Sequence, residues 1–248
     1  MRLTVVSCLV LSASGLTYWY NTKGSDFNYG LLIDASASMT ADDLKPSRIG
    51  AAKNAALNFV NSIGTGSVGV ITFTGTSFVR QRLTDDLDEV KAVIENINIE
   101  NIGGTAIGDA LVTGSNLFFS GREKGNVLIL MTDGQSNVGL EINGAIPFLL
   151  ENKVLVHTIG IGTKEGGNFV GEVVTRLDED SLKFISEETG GRYFNAANED
   201  ELKKSFSEIA QLRIKRVGKN LTVILLLIGV CLLLVEWGLM NSKYRSLP

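Results

Sequence analysis

A chain of 248 residues is long enough for one domain with a well-buried core and cramped for two. With 23 Lys and Arg against 27 Asp and Glu, its formal net charge of -4 leaves no basic surplus for phosphates, which excludes nucleic acid as the expected partner. The two cysteines, Cys8 and Cys231, lie in apolar stretches near the chain ends, so the middle of the protein has no disulfide framework, zinc-thiolate site or cysteine nucleophile.

Residues 1–20 are predicted to be a membrane anchor or a signal peptide. Leu3 to Tyr20 is apolar but diluted by Thr4, Ser7, Ser12, Ser14 and Thr17, and the small residues from Ser12 to Gly15 would suit a peptidase. Tyr18, Trp19 and Tyr20 instead suit a retained helix meeting the headgroups, and retention is the favoured reading. Residues 21–28 read as a linker.

From 29 to 212, short apolar runs alternate with amphipathic helical stretches, the pattern of a doubly wound α/β domain. The predicted strands are Tyr29–Ile33, Val68–Phe73, Val127–Met131, Val154–Ile161 and a short one at Arg192–Phe194. Their near-continuous Val, Ile and Leu content fits parallel strands covered on both faces. Thr76–Leu83 alternates and follows a Gly-Thr turn, as an antiparallel edge strand would. Helices are expected at Pro46–Ile63, Asp86–Ile97, Ile107–Phe119, Glu141–Asn152, Asp180–Thr189 and Asp200–Arg213. The stretch from Gly162 to Asp178 reads as a loop carrying a small hairpin.

A basic juxtamembrane segment, 213–220, holds Arg213, Lys215, Arg216 and Lys219. Residues 221–240, LTVILLLIGVCLLLVEWGLM, have the length and apolarity of a transmembrane helix, and 241–248 form a short tail with Lys243 and Arg245. Two anchors would put the domain outside the cytoplasm, although the basic segment pulls the other way under the positive-inside rule. Only Gly218 interrupts the join to the last soluble helix, which suggests a route for motion towards the membrane. Glu236 is a carboxylate inside the apolar stretch, suited to function or to snorkelling beside Trp237.

The chemistry lies in three loops. DASAS, Asp34 to Ser38, follows the first strand; MTDG brings Asp133 off the strand Val127–Met131; GGTAIGDAL sets Thr105 in a Gly-rich loop before a helix. All three fall at the carboxyl edge of the sheet, where open α/β sheets bind ligands. Taken alone, DxSxS is ordinary turn chemistry, and it is the coincidence of three loops that points to a site. Two carboxylates and three hydroxyls are hard oxygen donors that select Mg²⁺, with Mn²⁺ or Ca²⁺ as alternatives. If the carboxylates bind through water, hydroxyl coordination leaves the ion electrophilic and one position exchangeable for an outside carboxylate.

These motifs resemble the metal-ion-dependent adhesion site of von Willebrand A (vWA) domains, over roughly Tyr29 to Leu212. The resemblance implies a doubly wound, mostly parallel sheet with one antiparallel edge strand. It also implies metal ligands Asp34, Ser36, Ser38, Thr105 and Asp133, a bound Mg²⁺ and a protein partner that supplies an acidic residue. RLDEDSLKFISEETGGRYFNA, then EDELKKSFSEI, an apolar helix and a basic tail are similar to the Bat-type membrane proteins associated with MoxR-type AAA+ ATPases. That likeness implies an envelope complex with other membrane vWA proteins and such an ATPase.

Other signals are weaker. GTGSVG, Gly64 to Gly69, matches GxGxxG but follows a helix and precedes a strand, the reverse of a dinucleotide fingerprint. Asp34 after a strand is shared with Mg²⁺-dependent phosphotransferases, but the second Asp of that motif is replaced by Ser36. His157, the sole histidine, has no evident nucleophile and reads as a packed strand residue. Asp109 is either a partner orienting the metal loops or a first-turn helix carboxylate. A binding module rather than an enzyme is expected, with a surface adhesin and a phosphoester hydrolase as rivals.

Overall fold

The computed structural model describes residues 17–22, 27–63, 66–100, 102–120, 125–163, 166–169, 173–196, 201, 204–205, 208, 215–220 and 222–241. In chain order the strands and helices are β1 (Thr17–Thr22), β2 (Phe27–Asp34), α1 (Arg48–Ile63), β3 (Ser67–Phe73), β4 (Ser77–Thr84), α2 (Leu87–Glu95), α3 (Ile107–Leu117), β5 (Gly125–Thr132), α4 (Ile142–Glu151), β6 (Val154–Ile161), β7 (Gly167–Phe169), β8 (Val173–Thr175), α5 (Glu179–Glu188), β9 (Tyr193–Ala196), β10 (Lys215–Asn220) and α6 (Thr222–Asn241). They fall into two units, one of residues 23–213 and one joining 1–22 to 214–248.

The larger unit is a six-stranded sheet in the order β4-β3-β2-β5-β6-β9. Every neighbouring pair is parallel except β3 with β4, the antiparallel edge expected from the alternation. Successive β2 residues serve opposite faces. Leu31 and Ile33 join Ala51, Ala55 and Phe59 of α1 and Val90 and Ile94 of α2, whereas Leu32 joins Ile107 and Leu111 of α3 and Leu149 of α4. Each large apolar side chain sealed this way contributes about 1.5–3 kcal/mol, which is why strands covered on both faces read as unbroken apolar runs. β2 pairs with β3 on one side and β5 on the other, so the chain reverses its winding there and the loops after β2 and β5 part into a crevice.

Capping moves several helix starts by a residue or two. α1 begins at Arg48 rather than Pro46, because Ser47 Oγ accepts the Gly50 N–H at 3.2 Å. α2 begins after Asp86, whose carboxylate accepts the N–H groups of Asp88 and Glu89. Phe118 and Phe119 leave α3 for a short 3-10 turn, Phe118–Ser120. The expected small hairpin is β7 paired with β8. Of the helix expected over Asp200–Arg213, residues 201, 204, 205 and 208 are described and helical; the others lie outside the described residues.

In the second unit β1 and β10 form an antiparallel ribbon, with Thr17 opposite Asn220 and Thr22 opposite Lys215. The residues Thr17–Tyr20, expected at the end of a helical anchor, are therefore a strand, as suits a run of Thr and aromatics. The join expected to run as helix into α6 is likewise a strand over Lys215–Asn220, which removes the continuous helical route. α6 follows with 20 residues. Among the described residues no helix is long and apolar enough to cross a membrane. In α6 the described side chains of Leu226, Leu227, Ile228, Val230, Leu233, Leu234 and Trp237 are exposed, while that of Glu236 lies outside the described residues.

Candidate metal centre

Asp34 is the last residue of β2 and is wholly buried. The chain turns immediately after it, and the Ser36 N–H donates to Asp34 Oδ1 at 2.8 Å, an Asx turn that also aims Ser36 Oγ at Ser38 Oγ, 3.0 Å away. The other carboxylate oxygen, Oδ2, accepts the Thr132 hydroxyl at 2.6 Å, a bond between the ends of β2 and β5. Burial, and after it the Asp133 carboxylate, push the Asp34 carboxyl up to about 7 against the pull of the Ser36 and Thr132 hydrogen bonds.

Asp133 follows β5 and is equally sealed. Gly134 after it has a φ of +84°, and a Cβ there would stand 2.4 Å from the Asp178 carbonyl, so only glycine closes this turn. The Gln135 N–H donates to Asp133 Oδ1 at 3.3 Å, and Arg48 Nη1 donates to Asp133 Oδ2 at 3.1 Å. Arg48 is completely buried at the start of α1. Its Nε and Nη2 form a fork with Asp43 at 2.7 and 2.8 Å, and Asp43 Oδ2 also accepts the Thr163 N–H and hydroxyl. Burial raises the Asp43 carboxyl, but the Arg48 and Thr163 hydrogen bonds outweigh it and hold Asp43 below the usual carboxylate range.

Thr105 lies before α3 with 5% of its surface exposed. Its N–H donates to Asn137 Oδ1 at 2.8 Å, and its carbonyl accepts the Asn137 N–H at 3.0 Å. Its neighbour Ala106 donates its N–H to the Thr74 carbonyl at 2.7 Å, and Ala35 beside Asp34 donates to the Phe73 carbonyl at 2.9 Å. The Thr105 loop is thus pinned both to the loop that carries Asp133 and to the end of β3 against which the Asp34 loop rests. Asp109 accepts the Leu140 N–H at 3.4 Å, so it steadies the segment beyond Asn137.

Asp34, Ser36 and Ser38 come together through direct contacts, Asp133 is brought beside them by its neighbour Thr132, which bonds Asp34, and Thr105 joins through the backbone bonds above. Among the described residues there is no group of three or more His, Cys, Asp or Glu able to hold a metal. The donors at this edge are two carboxylates and three hydroxyls, and among the described residues Asp34 has no cationic neighbour of the kind Asp133 has in Arg48. That donor set fits a hard divalent cation, whose charge would offset the repulsion that raises Asp34.

Thr132, Asp43, Arg48 and Thr163 escaped the sequence reading. One signal was available: Arg48, Ala51, Ala52, Ala55 and Phe59 share one helical face, and a cation on an apolar stripe demands a buried partner. His157 accepts the Arg192 N–H at 3.1 Å through Nδ1 and is buried, a packed strand residue. Of GTGSVG, Gly64 and Thr65 lie outside the described residues and Ser67–Gly69 belong to β3. A cleft of about 510 Å³ is lined by Thr72, Arg80, Ala92, Asn96, Asn98 and Glu100 among others, and by none of the five candidate ligands.

Residues 30–135 match the von Willebrand factor type A domain. A UPF0353 protein of Nocardia farcinica is 29% identical over 220 residues, an overlap of 78% of this chain and 65% of that relative's length. An aerotolerance-related membrane protein from Bacteroides fragilis is similar in structure, with a TM-score of 0.67, 27% identity, and coverage of 75% of this chain and 99% of that one. BatB from Bacteroides thetaiotaomicron gives a TM-score of 0.65 at 26% identity, with the same coverage of both chains.

Proposed function

From a chain that carries a von Willebrand factor type A domain, we propose a membrane-anchored, metal-dependent protein-binding module with Asp34, Ser36, Ser38, Thr105 and Asp133 as its metal ligands. The observation that carries this reading is the pair of wholly buried carboxylates at the ends of adjacent strands, bordered by hydroxyls. Two like charges sealed together need a counter-charge, and hydroxyl donors do not use one up. A bound Mg²⁺ would offer an open position to an outside carboxylate. The chain's own residues do the rest: Thr132 and the Ser36 N–H orient Asp34, Arg48 orients Asp133, and Asn137 fixes Thr105.

Membrane anchoring rests on the apolar sequence of residues 221–240 and on the likeness to a protein described as a membrane protein. We put the domain on the extracytoplasmic side, in an envelope complex, and take association with a MoxR-type ATPase only from the Bat-type resemblance. Neither enzyme nor hydrolase chemistry is assigned to the centre.

The test is affinity capture with wild type and Asp34→Ala, each with Mg²⁺ and with chelator, from detergent-solubilised membranes. A partner held only by wild type in Mg²⁺ is expected. One held equally in all four samples refutes metal-dependent binding, and Mg²⁺-dependent phosphoester turnover lost in Asp34→Ala would favour the hydrolase instead.

A further inference from the structure

Among the described Lys and Arg side chains, Arg48 is the one that is buried. A guanidinium loses its hydration at a cost of several kcal/mol unless each face is met by charge or hydrogen bonds. Here Asp43 takes the fork formed by Nε and Nη2, and Asp133 takes Nη1 at 3.1 Å. Asp43 is in turn tied to Thr163, and Gly162 leaves the necessary room: with a φ of +133°, a Cβ there would be 2.8 Å from Arg48 Cζ. Three loops at the carboxyl edge, those after β2, β5 and β6, are thereby joined through one cation. An ion pair between Arg48 and Asp43 alone would be neutral overall, but its positive end is the one turned to Asp133.

We propose that Arg48 is the resident counter-cation of the metal centre: it balances Asp133 when no divalent ion is present and competes with the ion for that carboxylate when one is. The inference rests on the metal-binding reading above. Its first consequence is a domain that stays folded without metal. Its second is an ion held less tightly than two buried carboxylates would otherwise hold it, leaving more of its charge for a partner's carboxylate. Asp43 regulates the balance, because it draws the guanidinium away from Asp133.

The experiment is calorimetric titration of the full-length protein in detergent with Mg²⁺ and Mn²⁺, paired with urea unfolding in chelator and in either ion. Arg48→Met combined with Asp43→Asn removes both charges of the outer pair together and keeps an acceptor for Thr163. This double variant is expected to bind either ion at least about tenfold more tightly, since a cation has been removed beside a carboxylate that would bind the metal. It is also expected to gain more stability from the ion than wild type gains. Asp43→Asn alone removes the charge that holds two nitrogens of Arg48 and leaves its bond to Asp133 in place, and is expected to weaken the ion at least about threefold.

A purely structural role predicts the same sign in both variants, so two losses or two unchanged affinities overturn the proposal. If the double variant does not fold, Asp43→Asn decides the question, and an affinity equal to or tighter than wild type overturns it. Wild type that binds neither ion refutes the metal reading itself, whereas wild type that binds, with variants that move together, refutes only the role of Arg48.

Discussion

Asp34 and Asp133 end neighbouring strands at the same sheet edge and are equally shut off from water, but their charges are handled in opposite ways. Asp34 is held by neutral donors, the Ser36 amide and the Thr132 hydroxyl, whereas Asp133 meets a guanidinium. The difference teaches that burial alone does not set the behaviour of a carboxylate. Neutral donors offset part of the desolvation cost and leave Asp34 inclined to keep a proton, while an ion pair moves Asp133 into a charged network that spans three loops.

The largest expected effect comes from exchanging the two carboxylates for amides in the metal-free protein. Asp133→Asn breaks a buried ion pair and is expected to cost about 3 kcal/mol of unfolding free energy. Asp34→Asn replaces a carboxylate that ionises reluctantly, and is expected to stabilise the protein by on the order of 2 kcal/mol at about pH 8. Urea unfolding in chelator measures both, and two changes of the same sign would erase the contrast between the sites.

A second effect follows from pH. Without metal the folded protein holds the Asp34 proton up to about 7, while the unfolded chain releases it near the ordinary 3.8. Across that window the folded state binds more protons, so stability in chelator is expected to fall as pH rises towards 7 and to level off above it. Asp34→Asn should flatten this slope. Because a metal takes the ionised carboxylate, Mg²⁺ affinity should rise over the same range with release of a proton, detectable by titration in buffers of different ionisation enthalpy. An affinity independent of pH from about 5 to 8 would contradict the description of Asp34.

The smallest effect is expected from Thr132→Val, which removes the hydroxyl that crosses from β5 to Asp34. It should cost about 1 kcal/mol in chelator and move the pH dependence upward, because Asp34 loses a donor that favours its charged form. A variant with unaltered pH dependence would show that Ser36, through its hydroxyl and amide, alone supports the ionised carboxylate.

Much of the sheet was legible because strands covered on both faces must be apolar throughout, and β6 matched its expected limits of Val154 and Ile161 to the residue. Helix starts were less legible, since side-chain caps such as Ser47, Asp86 and Asp178 set them locally. The ribbon of β1 with β10 could not be read from either segment alone: it joins residues about two hundred positions apart, and an aromatic run beside an apolar stretch suits a membrane helix equally well.

The motif residues Asp34, Ser36, Ser38, Thr105 and Asp133 and the sheet edge that carries them follow from the sequence itself, because turn chemistry and apolar periodicity act over a few residues. How the two carboxylates are balanced was decided by tertiary structure. Thr132 meets Asp34 across 98 positions and Arg48 meets Asp133 across 85. Such partners are selected by burial, which demands a hydrogen bond or a counter-charge for every sealed polar group but does not reveal in the sequence which residue will supply it.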